Sequence, residues 1–431
     1  MATYYDPVYG QIELDNCVMD IVSKCPELKR LRFIGMMNFK SISMLSLTSI
    51  SRLEHSIGLT HLIQLLTKTN PNLQSINHDL LVSGLYHDVN CGSYGHSVEW
   101  AIDRHVNYEH ESDADWVKTD EVLANLKNKP IFIEQDGLHR HGFHDKYSLN
   151  FERIDNIING NGHYIINNSG MDLDNIDNVF RMAHYLGFLK KSNTPIELVK
   201  SLRVIEGRNN FSISEEKAHL IEEWMNLRTK VYRHFIYSDE YMAFEYLIFE
   251  LVSEYASTLV NVEDIKNIFH YTDESLLWLF YEMKRTRPKL ASLAKRLLLH
   301  DLPFCYGIMR SSSIEMDNPL RDKSTRKMLS EKISNKLKNL NLDINMHMTT
   351  DNRKTNRKID FFISGENKFE LTHRGEDKQY ILLAILGNNE IDPGLAKKVT
   401  HLAVEVLEKE GFSDLEVTSS YNTDTPQKSL F

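Results

Sequence analysis

Four His-Asp dipeptides occur in this chain, at His78-Asp79, His87-Asp88, His144-Asp145 and His300-Asp301. Several such pairs arise by chance in a sequence with 19 histidines and 60 acidic residues. The setting singles out His87-Asp88. It ends an apolar stretch, LLVSGLYHD, and a glycine-containing turn, VNCGSYG, follows. A pair at a helix end above a core is placed to reach a shared cavity. His55, in SRLEHSIG, lies in the helix-forming stretch before it. Asp174, in GMDLDNIDNVFRMAHYLG, stands at the start of a later amphipathic segment. Two imidazoles and two carboxylates suit a divalent transition metal such as Fe, Mn, Co, Ni or Zn, with Mg as an accompanying ion. His96 follows the pair past the turn, and Glu99 stands three residues on. On a helix that carboxylate can orient the imidazole, an arrangement suited to a general acid. Arg52 stands three residues before His55 on the same helical face, and its fork suits phosphate.

These residues need rigid elements to hold them, and the composition says which kind. Gly 19 plus Pro 10 falls well short of the roughly 52 that average usage would give a chain this long. Turn-rich β sandwiches and barrels need those residues at their corners, so an all-β fold is nearly excluded. A chain of 431 residues is long enough for two or three domains. The pattern is mostly helical from about residue 26 to 270. LTHLIQLLTK and DLLVSGLY are apolar stretches without breakers. Residues 211–231 read as a helix opened by Ser212 and Glu215 at capping-box spacing, with Leu220, Ile221, Trp224, Leu227 and Val231 as its apolar face. Thr272-Asp273 reads as another helix start.

The expected organisation is a helical core over 1–310, with a loop-rich insertion at about 126–170. A helical connector follows over 311–344, then a small α/β domain over 345–431 with a polar tail. In that last part Ile359–Ser364 and Tyr380–Leu386 read as buried strands. Asp392-Pro393 opens a helix that Gly411 closes. The fold class is therefore mainly α with a C-terminal α/β appendage.

Net charge is −10, which argues against nucleic acid as the main partner. Four scattered cysteines read as reduced, hence a cytoplasmic setting. MATYYDPVYG has no basic n-region or apolar h-region, so no signal peptide is expected, and no apolar run predicts a membrane span.

SRLEHSIG, LYHDVNCGSYGHSVEW and GMDLDNIDNVFR, in that order, resemble the metal-dependent HD-domain phosphohydrolases. The closer resemblance is to the deoxynucleoside triphosphate triphosphohydrolase branch, which contains the sterile-alpha-motif/HD restriction enzyme and bacterial dGTPases. DPVYGQIEL with CPELKRLRFIG resembles that branch's N-terminal segment, and LLLHDLPF the end of its core. The resemblance spans roughly residues 5–305. It implies His55, His87, Asp88 and Asp174 as metal ligands and an HD-domain helical core. It implies that His96, and His110 in NYEHESDADW, face the phosphate, and that Arg52 binds it. The implied reaction hydrolyses a deoxynucleoside triphosphate to deoxynucleoside and inorganic triphosphate, by metal-activated water at the α-phosphorus. A nucleotide effector, a homo-oligomer and antiviral lowering of nucleotide pools are further implications.

The sequence also departs from the branch. Its HDxxHG pattern has a second histidine where this chain has Cys91. A thiol is a weak donor and no cationic clamp at neutral pH. The branch has Lys, Tyr and Asp where Asn175, Asn178 and Met182 stand here. In the branch that Tyr packs under the sugar and that Asp binds its 3′-hydroxyl, so the sugar site differs. Arg228 and Tyr237, in LRTKVYRHFIY, loosely match the branch's later nucleotide-contacting helix. Another nucleotide as substrate, a monophosphate or a signalling nucleotide, is the rival enzyme reading. A non-catalytic nucleotide-sensing scaffold is the third.

Overall fold

A computed structural model describes residues 2–103, 138, 141–161, 164–168, 170–189, 193–257, 267–313, 317–337, 342–351, 353–364 and 369–419. The chain opens with strands β1 (Ala2–Asp6) and β2 (Gly10–Leu14). The principal helices that follow are α1 (Asn16–Lys24), α2 (Arg52–Thr69), α3 (Asn77–Tyr86), α4 (Gly95–Asp103) and α5 (Leu173–Tyr185). Next come β3 (Arg203–Val204), β4 (Phe211–Ser214), α6 (His219–Ile236), α7 (Asp239–Ala256) and α8 (Asp273–Glu282). The chain ends with β5 (Phe304–Ser311), α9 (Lys323–Lys336), β6 (Ile344–Thr350), β7 (Ile359–Ser364), β8 (Phe369–Arg374), β9 (Ile381–Gly387), α10 (Pro393–Lys409) and β10 (Glu416–Ser419). The described fold is mainly helical with three small sheets. No described helix is long and apolar enough to cross a membrane.

The chain divides into two compact units. The first comprises residues 1–231, 251–295 and 358–375. Its centre is α2, packed on α3 and α5. Helix α2 is buried around most of its circumference, and its side chains include Leu59, Leu62, Ile63 and Leu66. A helix apolar on all sides belongs in the middle of a core. At its start the Ser51 hydroxyl accepts the Glu54 N–H at 3.1 Å, satisfying a donor that the helix itself leaves orphaned. Helix α3 runs buried from Asp79 to Tyr86 and delivers His87 at its end.

Residues 211–214 differ from the sequence expectation. Ser212 caps no helix: it lies in β4, opposite Phe362 of β7 in a parallel pairing. Helix α6 starts only at His219. FSIS alternates as a strand does, and pairing with a distant strand outweighs a local cap signal. The apolar face predicted beyond it holds, since Leu220, Ile221, Trp224 and Val231 are buried. Thr272 does cap α8, in a reciprocal pair with Ser275.

The second unit comprises residues 232–250, 296–357 and 376–431. Its sheet has the order β10-β5-β9-β6, every neighbour antiparallel. With α9 after β5 and α10 after β9, this is the split βαβ pattern of ferredoxin-like folds. Leu329 and Ile333 of α9, with Val399, Ala403 and Leu407 of α10, share a core with Met346, Met348, Leu383 and Ile385. The α/β unit is thus larger than the appendage expected from residue 345. Strand β5 and helix α9 belong to its core, so residues 311–344 are no mere connector. Strand β7, expected in the appendage, instead pairs with β4 of the first unit. A strand's apolar run shows that it is buried, but not by which sheet. The start of α10 is as the sequence predicts. The Asp392 carboxylate accepts the Leu395 N–H at 3.0 Å, and Gly411 takes φ +91° just past the end.

Candidate metal centre

Helix α2 carries Arg52 and His55 one turn apart, so both face the same side. Helix α3 ends at Tyr86, and His87 and Asp88 follow at once. The ligand atoms of His55, His87 and Asp88 all lie within 4.8 Å of one another. Asp174 joins them from the first turn of α5. Its Oδ1 is 2.8 Å from His55 Nε2 and 3.6 Å from His87 Nε2. Two imidazoles and two carboxylates therefore converge from three elements within one unit. The donor set matches the mixed nitrogen and oxygen ligation that divalent transition metals take.

The neighbours of these groups fix their orientation. His87 Nδ1 faces Gly84 O at 2.9 Å. In the neutral ring that puts the proton on Nδ1 and leaves the Nε2 lone pair for a cation. His55 Nδ1 faces Asp177 Oδ2 at 2.7 Å, the carboxylate–histidine support common behind metal ligands. Burial alone would raise the Asp174 carboxyl. Hydrogen bonds and charge from His55 and His87 outweigh it and hold the group well below the usual carboxylate range. Burial likewise disfavours protonated His55, but its bonds to Asp174 and Asp177 raise it to about 10.

Asp177 is the hub that sequence reasoning missed. Arg181 donates to both its oxygens at 2.9 Å, and the Tyr9 hydroxyl donates to Oδ1 at 2.6 Å. The same guanidinium donates to Asp6 at 3.0 Å and to Glu54 at 2.8 Å. Its charge and bonds overcome burial and hold Asp177 at about 2. Gly58 makes room for this network. A Cβ there would lie 1.9 Å from Arg181 Nη2 and 2.5 Å from Asp177 Oδ1. The spacing signal was present: Asp177 stands three residues after Asp174, and Arg181 four after Asp177.

The other predicted residues fall as follows. Arg52 is buried, with Nη1 2.7 Å from Asp88 Oδ1; its Nε has no hydrogen-bond partner among the described residues. His96 Nδ1 lies 2.8 Å from Glu99 Oε2, as the spacing predicts, and the ring stacks on Trp100. Cys91 is only 1% exposed, with Sγ facing Gly92 O. Burial pushes its thiol up, so it stays uncharged, and it offers almost no surface to a substrate. Asn178 is half-buried on α5, and Met182 is buried in the core. Arg228 is buried in the first unit, and Tyr237 belongs to the second. His110 lies outside the described residues.

His61, six residues along α2 from His55, is buried beside Tyr9, and its Nδ1 has no hydrogen-bond partner among the described residues. Burial is the main cause of its depressed pKa, about 4 against an ordinary 6.5. Between those values the unfolded chain binds more protons than the native one, so stability rises with pH through that window. It is complete above 6.5 and falls away as pH drops towards 4. His61→Leu is expected to flatten this slope, worth up to about 3 kcal/mol. Urea unfolding at pH 7 and pH 4.5 checks it; an unchanged difference between the two pH values refutes it.

Comparison of the chain with protein-family models and with curated proteins gives no match to either.

Proposed function

We propose that this protein is an HD-type metal-dependent phosphohydrolase that converts deoxynucleoside triphosphates to deoxynucleoside and inorganic triphosphate. The convergence of His55, His87, Asp88 and Asp174 on one point supports this reading most. A divalent ion held there supplies Lewis acidity towards a phosphoryl oxygen and acidifies water. The remaining work falls to the chain's own side chains. Asp88 keeps Arg52 beside the ligands, so its positive charge is available to a phosphate at little cost in reorganisation. Glu99 accepts the His96 Nδ1–H, so the Nε2–H of the imidazolium form is the proton that can pass to the departing 5′ oxygen. Cys91 adds no charge.

The same reading carries a nucleotide effector, a homo-oligomer and a cytoplasmic setting. A second reading keeps the site and changes the nucleotide, to a monophosphate or a signalling nucleotide. Its support is the half-buried Asn178 and buried Met182, which leave the sugar without the tyrosine and aspartate of the resembled branch.

A panel of nucleotides, assayed with Mn, Fe, Co, Ni, Zn and Mg and with product analysis, separates the two. Inorganic triphosphate is the expected product from deoxynucleoside triphosphates. Orthophosphate alone, or turnover of monophosphates only, removes the first reading.

A further inference from the structure

The turn between His87-Asp88 and His96 is held from outside by one buried carboxylate. Tyr94 takes φ +56° and Gly95 φ +47°. The left-handed region is costly for a side chain as bulky as tyrosine and persists only where the surroundings enforce it. Here they do. Asp273, fully buried at the start of α8, accepts the Tyr94 N–H on Oδ1 at 2.9 Å. The neighbouring Ser93 hydroxyl donates to Tyr271 O at 2.7 Å.

The other oxygen of Asp273 serves a second segment. Oδ2 accepts the Gly35 N–H at 2.9 Å and pairs with Lys40 at 3.0 Å. Gly35 forms a bridge with Ser51, and the Arg52 N–H donates to Ile34 O at 3.0 Å. One carboxylate thus clamps the backbone leading into Arg52 and the backbone leading into His96. Between the clamped segments the fit is close. A Cβ on Gly95 would lie 2.5 Å from Arg52 Nη2 and 2.4 Å from Asn38 Oδ1. The strained turn is what brings residue 95 this near to the guanidinium and starts α4 with His96 on its first turn.

We infer that Asp273 is a positioning residue: it locks the Tyr94–Gly95 turn to the Gly35 segment so that Arg52 and His96 hold a fixed relation to each other. This role rests on the hydrolase reading for its effect on turnover, but not for its effect on the backbone. Asp273→Asn tests it, because an amide has one acceptor oxygen and cannot take both N–H groups.

Two readouts on the metal-loaded, full-length variant decide the matter. Amide hydrogen exchange is expected to speed up at least tenfold at residues 35–36 and 94–97 and to stay unchanged in the middle of α2 and α3. Turnover of the best deoxynucleoside triphosphate is expected to fall 10- to 100-fold in kcat, with KM within threefold and metal content unchanged. Ser93→Ala, which loosens the same turn with less risk to folding, should move both readouts in the same direction by a smaller factor. Unchanged exchange at both segments overturns the clamp. Faster exchange with kcat within twofold of wild type overturns the positioning role. If wild type turns over no nucleotide at all, the hydrolase reading and the role in turnover fall together, and the exchange data still decide the clamp.

Discussion

His87→Ala is expected to lose the bound metal and to lower turnover by on the order of 10³-fold or more. His87 is the ligand whose geometry is fixed most simply. One ring nitrogen is committed to Gly84 O, and the other points at the carboxylates of Asp88 and Asp174. Alanine removes a donor that no described neighbour replaces. The cost to folding should be modest, because the ring is at the end of α3 and is not fully buried. Metal analysis after reconstitution, read beside circular dichroism and the nucleotide assay, checks the prediction. A variant with stoichiometric metal and near-normal turnover would falsify the proposed centre.

Arg181→Met should destabilise the fold by about 3–5 kcal/mol, the usual cost of stripping one partner from a buried ionic cluster. The guanidinium is fully buried between Asp177 and Asp6, and both of those side chains are also fully buried. Methionine fills a similar volume, so the loss reports uncompensated charge and not a cavity. Arg181→Lys should recover only part of it, since a single ammonium cannot reproduce a fork that reaches Asp177, Glu54 and Asp6 at once. Urea midpoints at constant slope measure both. A loss under 1 kcal/mol for methionine would mean that the cluster is solvated or rearranges freely.

The helices were legible because periodicity and caps are local. Thr272 before α8 and Asp392 before α10 stand where a local rule puts them. The strand at 211–214 and the true extent of the α/β unit were not, because both are decided by pairing between distant segments. The candidate ligands were legible through order and spacing. Their support was not. Tyr9, Asp6, Glu54 and Asp273 look like ordinary turn and helix residues until the fold brings them to Asp177, Arg181 and Tyr94. Arg228, matched only loosely to a nucleotide-contacting helix, is buried by tertiary packing that no local pattern announces.

The β1–β2 hairpin has a consequence for how the molecule is made. Its turn, shaped by Asp6 accepting the N–H groups of Val8 and Tyr9, supplies Asp6 and Tyr9 to the cluster around Arg181. The ribosome delivers those two residues well before Arg181. Until α5 emerges, Asp6 and Tyr9 lack their partners Arg181 and Asp177, and His55 lacks Asp174 and Asp177. The site therefore closes by a long-range contact whose loop entropy must be met before these bonds to α5 form. Metal affinity should appear late in synthesis, and an N-terminal truncation of ten residues should weaken the site from a distance in sequence that its ligands alone do not reveal.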